Sequence, residues 1–311
     1  MFNISERLEI VVITYNREKY LKNTLKILFA DNSPVKTCRI TVLDNNSSDD
    51  TSSLCKTYQA KYSNFNYICN SHNVGWGNIA LAYWAAKTEY VWVLADDDEY
   101  NWANWPQVET AIKEKVSVIC CCNYLVNKKK QKEQDDSLTF IQLTLISAGI
   151  YRIKDFPDTV FRSMFANIYS NFPHMVFPVY AKNHTLSVRV VNEVLKLGIH
   201  LEETDCSYTR GSVREDLFPK IQSMSWTSGF ACVCAGLNDR DFARKTFEVA
   251  VCQDWVYGSK NKFICSVSKQ YQDSRSWGNF ADILGMVCPW ERFLLLCSFC
   301  CRKIKFLLRK R

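Results

Sequence analysis

The sequence predicts an α/β fold, a doubly wound and mostly parallel sheet flanked by helices, with a mainly helical C-terminal extension. Two observations carry that expectation. Short β-branched apolar runs alternate with helical segments at intervals of roughly 25–30 residues, the repeat of βαβ units. Three of the first four runs stop at unusual polar clusters, TYN, DNNSSDD and ADDDE. Doubly wound sheets bind ligands beyond the carboxyl ends of their strands, so the three clusters should meet on one edge.

Leu8 to Ile13 (LEIVVI) is a continuous apolar run, as expected of a strand buried on both faces. After the polar break Thr14-Tyr15-Asn16-Arg17, residues Tyr20, Leu21, Leu25, Leu28 and Phe29 recur at helical spacing. Asp31-Asn32-Ser33-Pro34 ends that helix. Arg39 to Leu43 is the second strand, and Asp49 or Asp50 caps a helix running to about Tyr62. A third strand at Tyr67–Cys69, a third helix at Asn73–Lys87 and a fourth strand at Tyr90–Leu94 follow. Val116–Cys122 reads as a fifth strand, and Lys128–Asp136 as a charge-dense loop. Phe140–Ile153 is an apolar stretch. Beyond it the pattern weakens, and helices are expected near 158–170, 174–181, 185–198 and 240–256.

The composition, 47 % hydrophobic and 23 % charged, is that of an ordinary globular chain. The net charge of +7 comes almost wholly from Arg302, Lys303, Lys305, Arg309, Lys310 and Arg311, so the body offers no basic surface for nucleic acid. Met1 to Glu9 lacks an apolar signal region. The expectation is therefore a cytoplasmic chain whose 15 cysteines are reduced, several of them serving as small core hydrophobes. Cys297 and Cys300 have a C-x2-C spacing but no second pair at zinc-ribbon distance.

Asp96-Asp97-Asp98 directly follows an apolar strand. Three carboxylates together raise one another's pKa, and a divalent cation relieves the repulsion. Mg²⁺ or Mn²⁺ prefers oxygen ligands and commonly bridges one or two carboxylates to substrate phosphates.

The run VVITYN, ITVLDNNSSDDT, NVGWGN and YVWVLADDDE, taken in order over residues 8–105, resembles family-2 glycosyltransferases of the Rossmann-like GT-A fold. The resemblance implies a sugar transferred from a nucleoside diphosphate, UDP foremost, to a hydroxyl of a glycan or lipid-linked acceptor, with Mn²⁺ or Mg²⁺ as cofactor and inversion at the sugar carbon. It implies residue roles too. Thr14, Tyr15 and Asn16 would line the nucleotide, with Tyr15 against the base, and Asp44 would accept a base N–H. Asn73, Gly75 and Asn78 would lie beside the ribose and donor sugar. Asp96 and Asp97 would face ribose or sugar, and Asp96 and Asp98 would hold the metal, with Asp97 a possible further contact to it. Residues 1–125 become the nucleotide-sugar half, 126–285 the acceptor-side half of the same catalytic domain, and 286–311 a basic amphipathic tail.

The family's usual strand before the catalytic base is similar to SAGIYRIKDF at 147–156, but the Glu-Asp pair expected after it is missing. Asn171-Phe172-Pro173-His174-Met175 stands roughly in its place. His174 is then a candidate base, a third metal ligand or a plain helix-start histidine. Asp158, Glu203 and Asp205 are rival bases. In the tail, the apolar stretch Phe293–Cys301 is far shorter than the ~20 residues needed to span a bilayer. Its aromatics and flanking basic residues suit an interfacial helix on anionic lipid, placing the protein peripherally on the inner face of the membrane. Two other functions are weighed. A nucleotidyltransferase would show a glycine-rich phosphate loop, and Thr14–Arg17 contains no glycine. An inactive binding protein of the same fold would have no need of the intact acidic triplet.

Overall fold

The computed structural model describes residues 3–122, 136–191, 193–196, 226–253, 258–264, 267 and 277–298. In chain order the elements are β1 (Leu8–Thr14), α1 (Glu18–Leu28), β2 (Arg39–Asp44), α2 (Thr51–Lys61), β3 (Phe65–Cys69), α3 (Gly77–Trp84), β4 (Tyr90–Leu94), β5 (Glu99–Tyr100), α4 (Trp105–Lys113) and β6 (Val118–Cys120). Then come α5 (Asp136–Gln142), β7 (Gly149–Arg152), α6 (Asp158–Ala166), α7 (Val176–Asn183), β8 (Val188–Val190), β9 (Leu195–Lys196), α8 (Trp226–Ala235), α9 (Arg240–Val251) and α10 (Trp277–Met286).

One seven-stranded sheet runs β3-β2-β1-β4-β7-β6-β8. The first four strands are mutually parallel, while β7 runs antiparallel to both β4 and β6. The parallel strands β1, β2 and β4 are buried on both sides, while β3 is a half-exposed edge, so alternate residues of the inner strands feed two cores. Leu8, Ile10 and Val12 pack with Leu21, Leu25, Cys55 and Val108 under α1, α2 and α4. Val11, Leu43, Val91 and Val93 pack with Tyr83, Phe177, Phe230 and Phe247 under α3, α7, α8 and α9. Cys120, Cys121 and Cys122 are fully buried free thiols divided between these cores.

The sheet crosses residue 126: β7 and β8 complete what β1–β4 and β6 begin. Gly149 opens β7 because the ring of Tyr151 lies over it, and a Cβ there would meet the Tyr151 Oη at 2.4 Å.

Several expectations need correcting. The third helix does not start at Asn73, because Asn73–Trp76 forms a turn in which Gly75 adopts φ 56°, a conformation glycine takes without strain. The helix expected at 185–198 is instead two short strands. Val188–Val190 pairs in parallel with β6, and Leu195–Lys196 pairs with β5. A β-branched run beside an unfilled sheet edge gains more from the ladder than from a helix. Helix α4 was not anticipated. It has Pro106 in its first turn and buries Trp105, Val108, Ala111 and Ile112 at helical spacing. The expected fifth strand contracts to Val118–Cys120. The expected Lys128–Asp136 loop lies outside the described residues apart from Asp136, which opens α5.

Candidate functional site

The register brings the three polar clusters to one edge. Thr14 pairs with Asp44, and Val12 with Leu94, so Asp96 stands level with Thr14. The Thr14 hydroxyl donates to Asp96 Oδ2 at 2.6 Å, joining the ends of β1 and β4. Thr24, fully buried on α1, donates to the Asp96 carbonyl at 2.8 Å.

The TYN and DNNSSDD turns are clipped together. Asn16 takes a positive φ of 52°, which asparagine tolerates. Its N–H donates to Ser47 Oγ at 2.8 Å, and its carboxamide oxygen accepts the Ser48 N–H at 2.7 Å. Asp49 reaches across to accept the Glu18 N–H at 2.9 Å, capping α1 from the other loop. The residue at the N-cap position itself, Arg17, makes no side-chain cap. Tyr15 is half-buried beside these turns.

Asp44 is wholly buried. Its Oδ1 accepts the Ser47 N–H at 2.9 Å and hydroxyl at 2.6 Å, and its Oδ2 accepts the Tyr67 hydroxyl at 2.8 Å. Among the described residues its Oδ2 accepts only one bond and so keeps acceptor capacity for a further N–H. Asn73 and Asn78 are buried in a carboxamide network. Asn45 Nδ2 donates to Asn73 Oδ1 at 2.7 Å, Asn70 Nδ2 to Asn78 Oδ1 at 2.8 Å, and Asn78 Nδ2 to the Leu43 carbonyl at 3.1 Å. The Gly75 N–H donates to Asn73 Oδ1 at 2.8 Å. The network ties the ends of β2 and β3 to the start of α3 and sets the floor of the edge.

The acidic triplet holds the most charge. Arg17 meets Asp96 Oδ1 through Nε at 3.0 Å and Asp97 Oδ2 through Nη2 at 2.5 Å, while its guanidinium lies 4.2 Å from the centre of the Tyr20 ring. Burial pushes the Asp96 carboxyl up to about 7, against the opposing pull of Arg17 and Thr14. Burial likewise lifts Asp98 to about 7. A hydrogen bond from Ser147 opposes the rise, and the charges of Asp97 and Asp96 reinforce it. Ser147 also accepts the Ala95 N–H at 2.8 Å, and its carbonyl accepts Trp92 Nε1 at 2.8 Å. The segment entering β7 therefore clamps the end of β4.

Among the described residues no three His, Cys, Asp or Glu side chains are grouped as a ready metal site. The donor set still suits a hard divalent cation. It consists of carboxylate oxygens alone, and one guanidinium faces three carboxylates, leaving buried negative charge uncompensated. Beside Arg17 a cleft of about 280 Å³ opens between Asn16, Glu18, Tyr20, Asp49 and Asp50.

The rival base positions separate. Because β7 is antiparallel, its exit at Arg152 pairs with Tyr90 at the start of β4. Asp158, exposed on the first turn of α6, therefore leaves from the edge opposite the triplet. His174 sits after the return of α6, in the 3-10 turn Pro173–Met175. It is 2 % exposed, with Nε2 at 3.1 Å and 3.2 Å from the carbonyls of Leu143 and Thr144. Its Nδ1 is buried without a partner. Burial lowers its pKa to about 4. The neutral ring thus owes its state to desolvation. Glu203 and Asp205 lie outside the described residues. Arg17, Ser147, Thr24, Asn45 and Asn70 were all missed in the sequence, although Arg17 directly follows TYN.

Parallel strands in the order β3-β2-β1-β4, with three turns and an acidic triplet on their carboxyl edge, define the nucleotide-sugar transferase class of GT-A type. Residues 9–175 match Glycosyl transferase family 2. The chain belongs to that family and is a glycosyltransferase. S. aureus TarS 1–349 in complex with UDP is similar at 17 % identity and a TM-score of 0.56, over 94 % of this chain and 86 % of that one. The same protein in complex with UDP-GlcNAc matches at 15 % identity and a TM-score of 0.54, over 94 % and 89 %. At these identities the likeness is one of fold. No curated relative matches the chain.

Proposed function

We propose that the chain transfers a sugar from a UDP-sugar to a hydroxyl of a glycan or lipid-linked acceptor, with inversion, and that it uses Mn²⁺ or Mg²⁺. The observation that carries this reading is the Thr14–Asp96 bond, which fuses the nucleotide-side turn to the acidic triplet at one sheet edge. TarS, of the same fold, is known in complex with UDP and UDP-GlcNAc, which supports the choice of donor. A divalent cation at this edge would supply positive charge to the departing diphosphate. Asp96 and Asp98, the two buried carboxylates of the triplet, are the side chains proposed to hold it, beside Asp97, which pairs with Arg17. Tyr15 flanks the base and Asp44 shapes the turn that receives it. The asparagine network supports the ribose side. The acceptor hydroxyl displaces the nucleotide in one step, which inverts the sugar carbon and needs a base.

His174 is too weak a base for that role, since an efficient base has a pKa near the working pH. We assign it to positioning the segment that carries Ser147. Asp158 faces the far edge, so Glu203 and Asp205 are the carboxylates to test. Purified protein with Mn²⁺ should release UDP from at least one member of a UDP-sugar panel, and EDTA should abolish the release. Glu203→Gln or Asp205→Asn should slow it by ~10²–10⁴-fold. Full activity in EDTA would remove the metal from the reading.

Membrane attachment is proposed through the C-terminal helix, residues 289–298. Its inner side is locked to the body by fully buried Leu295, by Arg292 donating to the Leu284 carbonyl at 2.9 Å and by the Glu291–Lys260 pair at 2.9 Å. Its outer side exposes Trp290 (65 %), Phe293 (54 %) and Leu296 (39 %), each three residues apart. Among the described residues no helix is long and apolar enough to cross a membrane. An exposed aromatic face followed in sequence by six basic residues suits the surface of an anionic bilayer. Trp290→Glu with Phe293→Glu should abolish co-sedimentation with phosphatidylserine vesicles while sparing UDP release. Unchanged co-sedimentation would rule this face out.

A further inference from the structure

Asp44 is a wholly buried carboxylate that no cation pairs with among the described residues. Such a group is costly to bury unless donors surround it. Two of its donors, the Ser47 N–H and hydroxyl, both meet Oδ1, at 2.9 Å and 2.6 Å. The third comes from a different strand. Tyr67 lies on β3 level with Val42, two residues before Asp44 on β2. Its ring carries the hydroxyl along the sheet to Oδ2, at 2.8 Å. Ser52, in the first turn of α2, hydrogen-bonds the same phenol. Burial, with the bond to Asp44, pushes that phenol above its ordinary range, so it stays a donor. Tyr67 is half-buried, and the pair therefore borders the surface of the nucleotide edge.

We propose that Tyr67 is a positioning residue that sets the base preference of the donor site: its hydroxyl fills one acceptor position of Asp44 Oδ2 and leaves the other for a single imide N–H. The inference rests on the UDP-sugar reading above and adds to it the residue that selects the base. An ionised carboxylate only accepts, at roughly four positions on its two oxygens. Ser47 takes two of them and Tyr67 a third. Uracil presents one imide N–H between two carbonyls, and one open position suffices for it. Cytosine presents a bare ring nitrogen beside an amine. The ring nitrogen would meet the carboxylate acceptor to acceptor, and the amine would need the position that Tyr67 holds. The hydroxyl thus matches the site to the imide and closes it to the amine, so selectivity has an attractive and a repulsive part. A site built around a hydrogen bond strongly rejects a ligand that cannot make it. Tyr67 acts through Asp44, without touching the base.

The test measures the dissociation constants of UDP and CDP by titration calorimetry, using the full chain with Mn²⁺ present. Wild type should prefer UDP. Tyr67→Phe keeps the ring and removes only the hydroxyl. It should bind UDP about tenfold more weakly, the scale of one hydrogen bond to a charged group. It should bind CDP more tightly than wild type does, because the vacated position on Oδ2 can take the amine. Shifts of opposite sign are not expected of a residue that merely packs. Ser52→Ala loosens the hydroxyl without removing it. It should move both affinities in the same directions by less, and it serves if Tyr67→Phe does not fold. If Tyr67→Phe leaves the ratio of UDP to CDP affinity unchanged, the inference is overturned while the donor reading stands. If wild type binds UDP no better than CDP, the UDP-sugar reading fails and this inference with it.

Discussion

The two edges of the parallel sheet carry the same kinds of group and use them in opposite ways. At the edge where the strands begin, Glu89 and Asp155 meet an excess of cations. Arg152 pairs with Glu89 at 2.8 Å and with Asp155 at 3.1 Å, Lys154 reaches Glu89 at 2.9 Å, and Arg7 reaches Glu89 at 3.7 Å. Burial pulls the Glu89 carboxyl upward, but hydrogen bonds from Lys154 and Arg152 outweigh it and hold it below its ordinary range. At the edge where the strands end, three carboxylates share Arg17, and burial lifts Asp96 and Asp98 to about 7. The first edge is balanced and closes the fold. At the second, among the described residues, Arg17 alone forms ion pairs with the triplet. Stored charge imbalance, more than the mere presence of acidic residues, distinguishes a site from a strut.

The largest expected effect separates the edges by function. Asp98→Asn should cut sugar transfer by about 10²–10³-fold, the scale of losing one preorganised charge contact in a transition state. Glu89→Gln should leave the turnover number at the wild-type level. Initial rates of UDP release for both variants decide the matter. Near-normal transfer by Asp98→Asn would break the comparison at its functional end.

A second, smaller effect reverses the order. Glu89→Gln leaves Arg152 and Lys154 without their anion in a partly buried setting and should cost about 1–2 kcal/mol of stability. Asp98→Asn removes a buried charge that is held by Ser147 and only weakly by the charge of Arg17, and should melt at or above the wild-type temperature at pH 8. Thermal unfolding in EDTA compares them directly. A destabilised Asp98→Asn would show that the triplet also braces the fold.

How much of this was legible in the sequence follows from strand direction and burial. The four parallel strands stood out because strands covered on both faces must be continuous apolar runs, and LEIVVI and YVWVL are. The turns stood out because Asn, Asp and Ser cluster where backbone must leave a strand. Nothing in GIYR says that β7 runs backwards, yet that single reversal sends Asp158 to the wrong edge for catalysis. The strand Val188–Val190 is too short to show alternation and was read as helix. Asp44 and Asn73 were legible as polar groups at strand ends. That Asp44 is satisfied by Tyr67 and Asn73 by Asn45 depends on register, which brings together residues 23 and 28 positions apart. Arg17 was hidden for the same reason, lying 80 residues from Asp97 in the chain.

The smallest expected effect is the pH dependence of stability, and its sign differs between the edges. Asp96 and Asp98 titrate near 4 when unfolded and about 7 when folded, so between these values the folded chain binds more protons. Metal-free stability should therefore decline as pH rises from about 5 to 8. Glu89 works the other way. Its folded value is lowered, so its contribution is present above the ordinary glutamate range and is lost as pH falls below it. Wild-type protein in EDTA should thus melt highest near pH 5 and at a lower temperature by pH 8. Asp98→Asn should flatten that decline, because one of its two titrating groups is gone. Glu89→Gln should keep the decline and lower the whole curve above pH 5. Melting curves of the three proteins at half-unit pH steps decide it. An Asp98→Asn curve that runs parallel to wild type from pH 5 to 8 would mean that Asp98 is not protonated in the folded chain, and the acidic edge would then be better balanced than its geometry indicates.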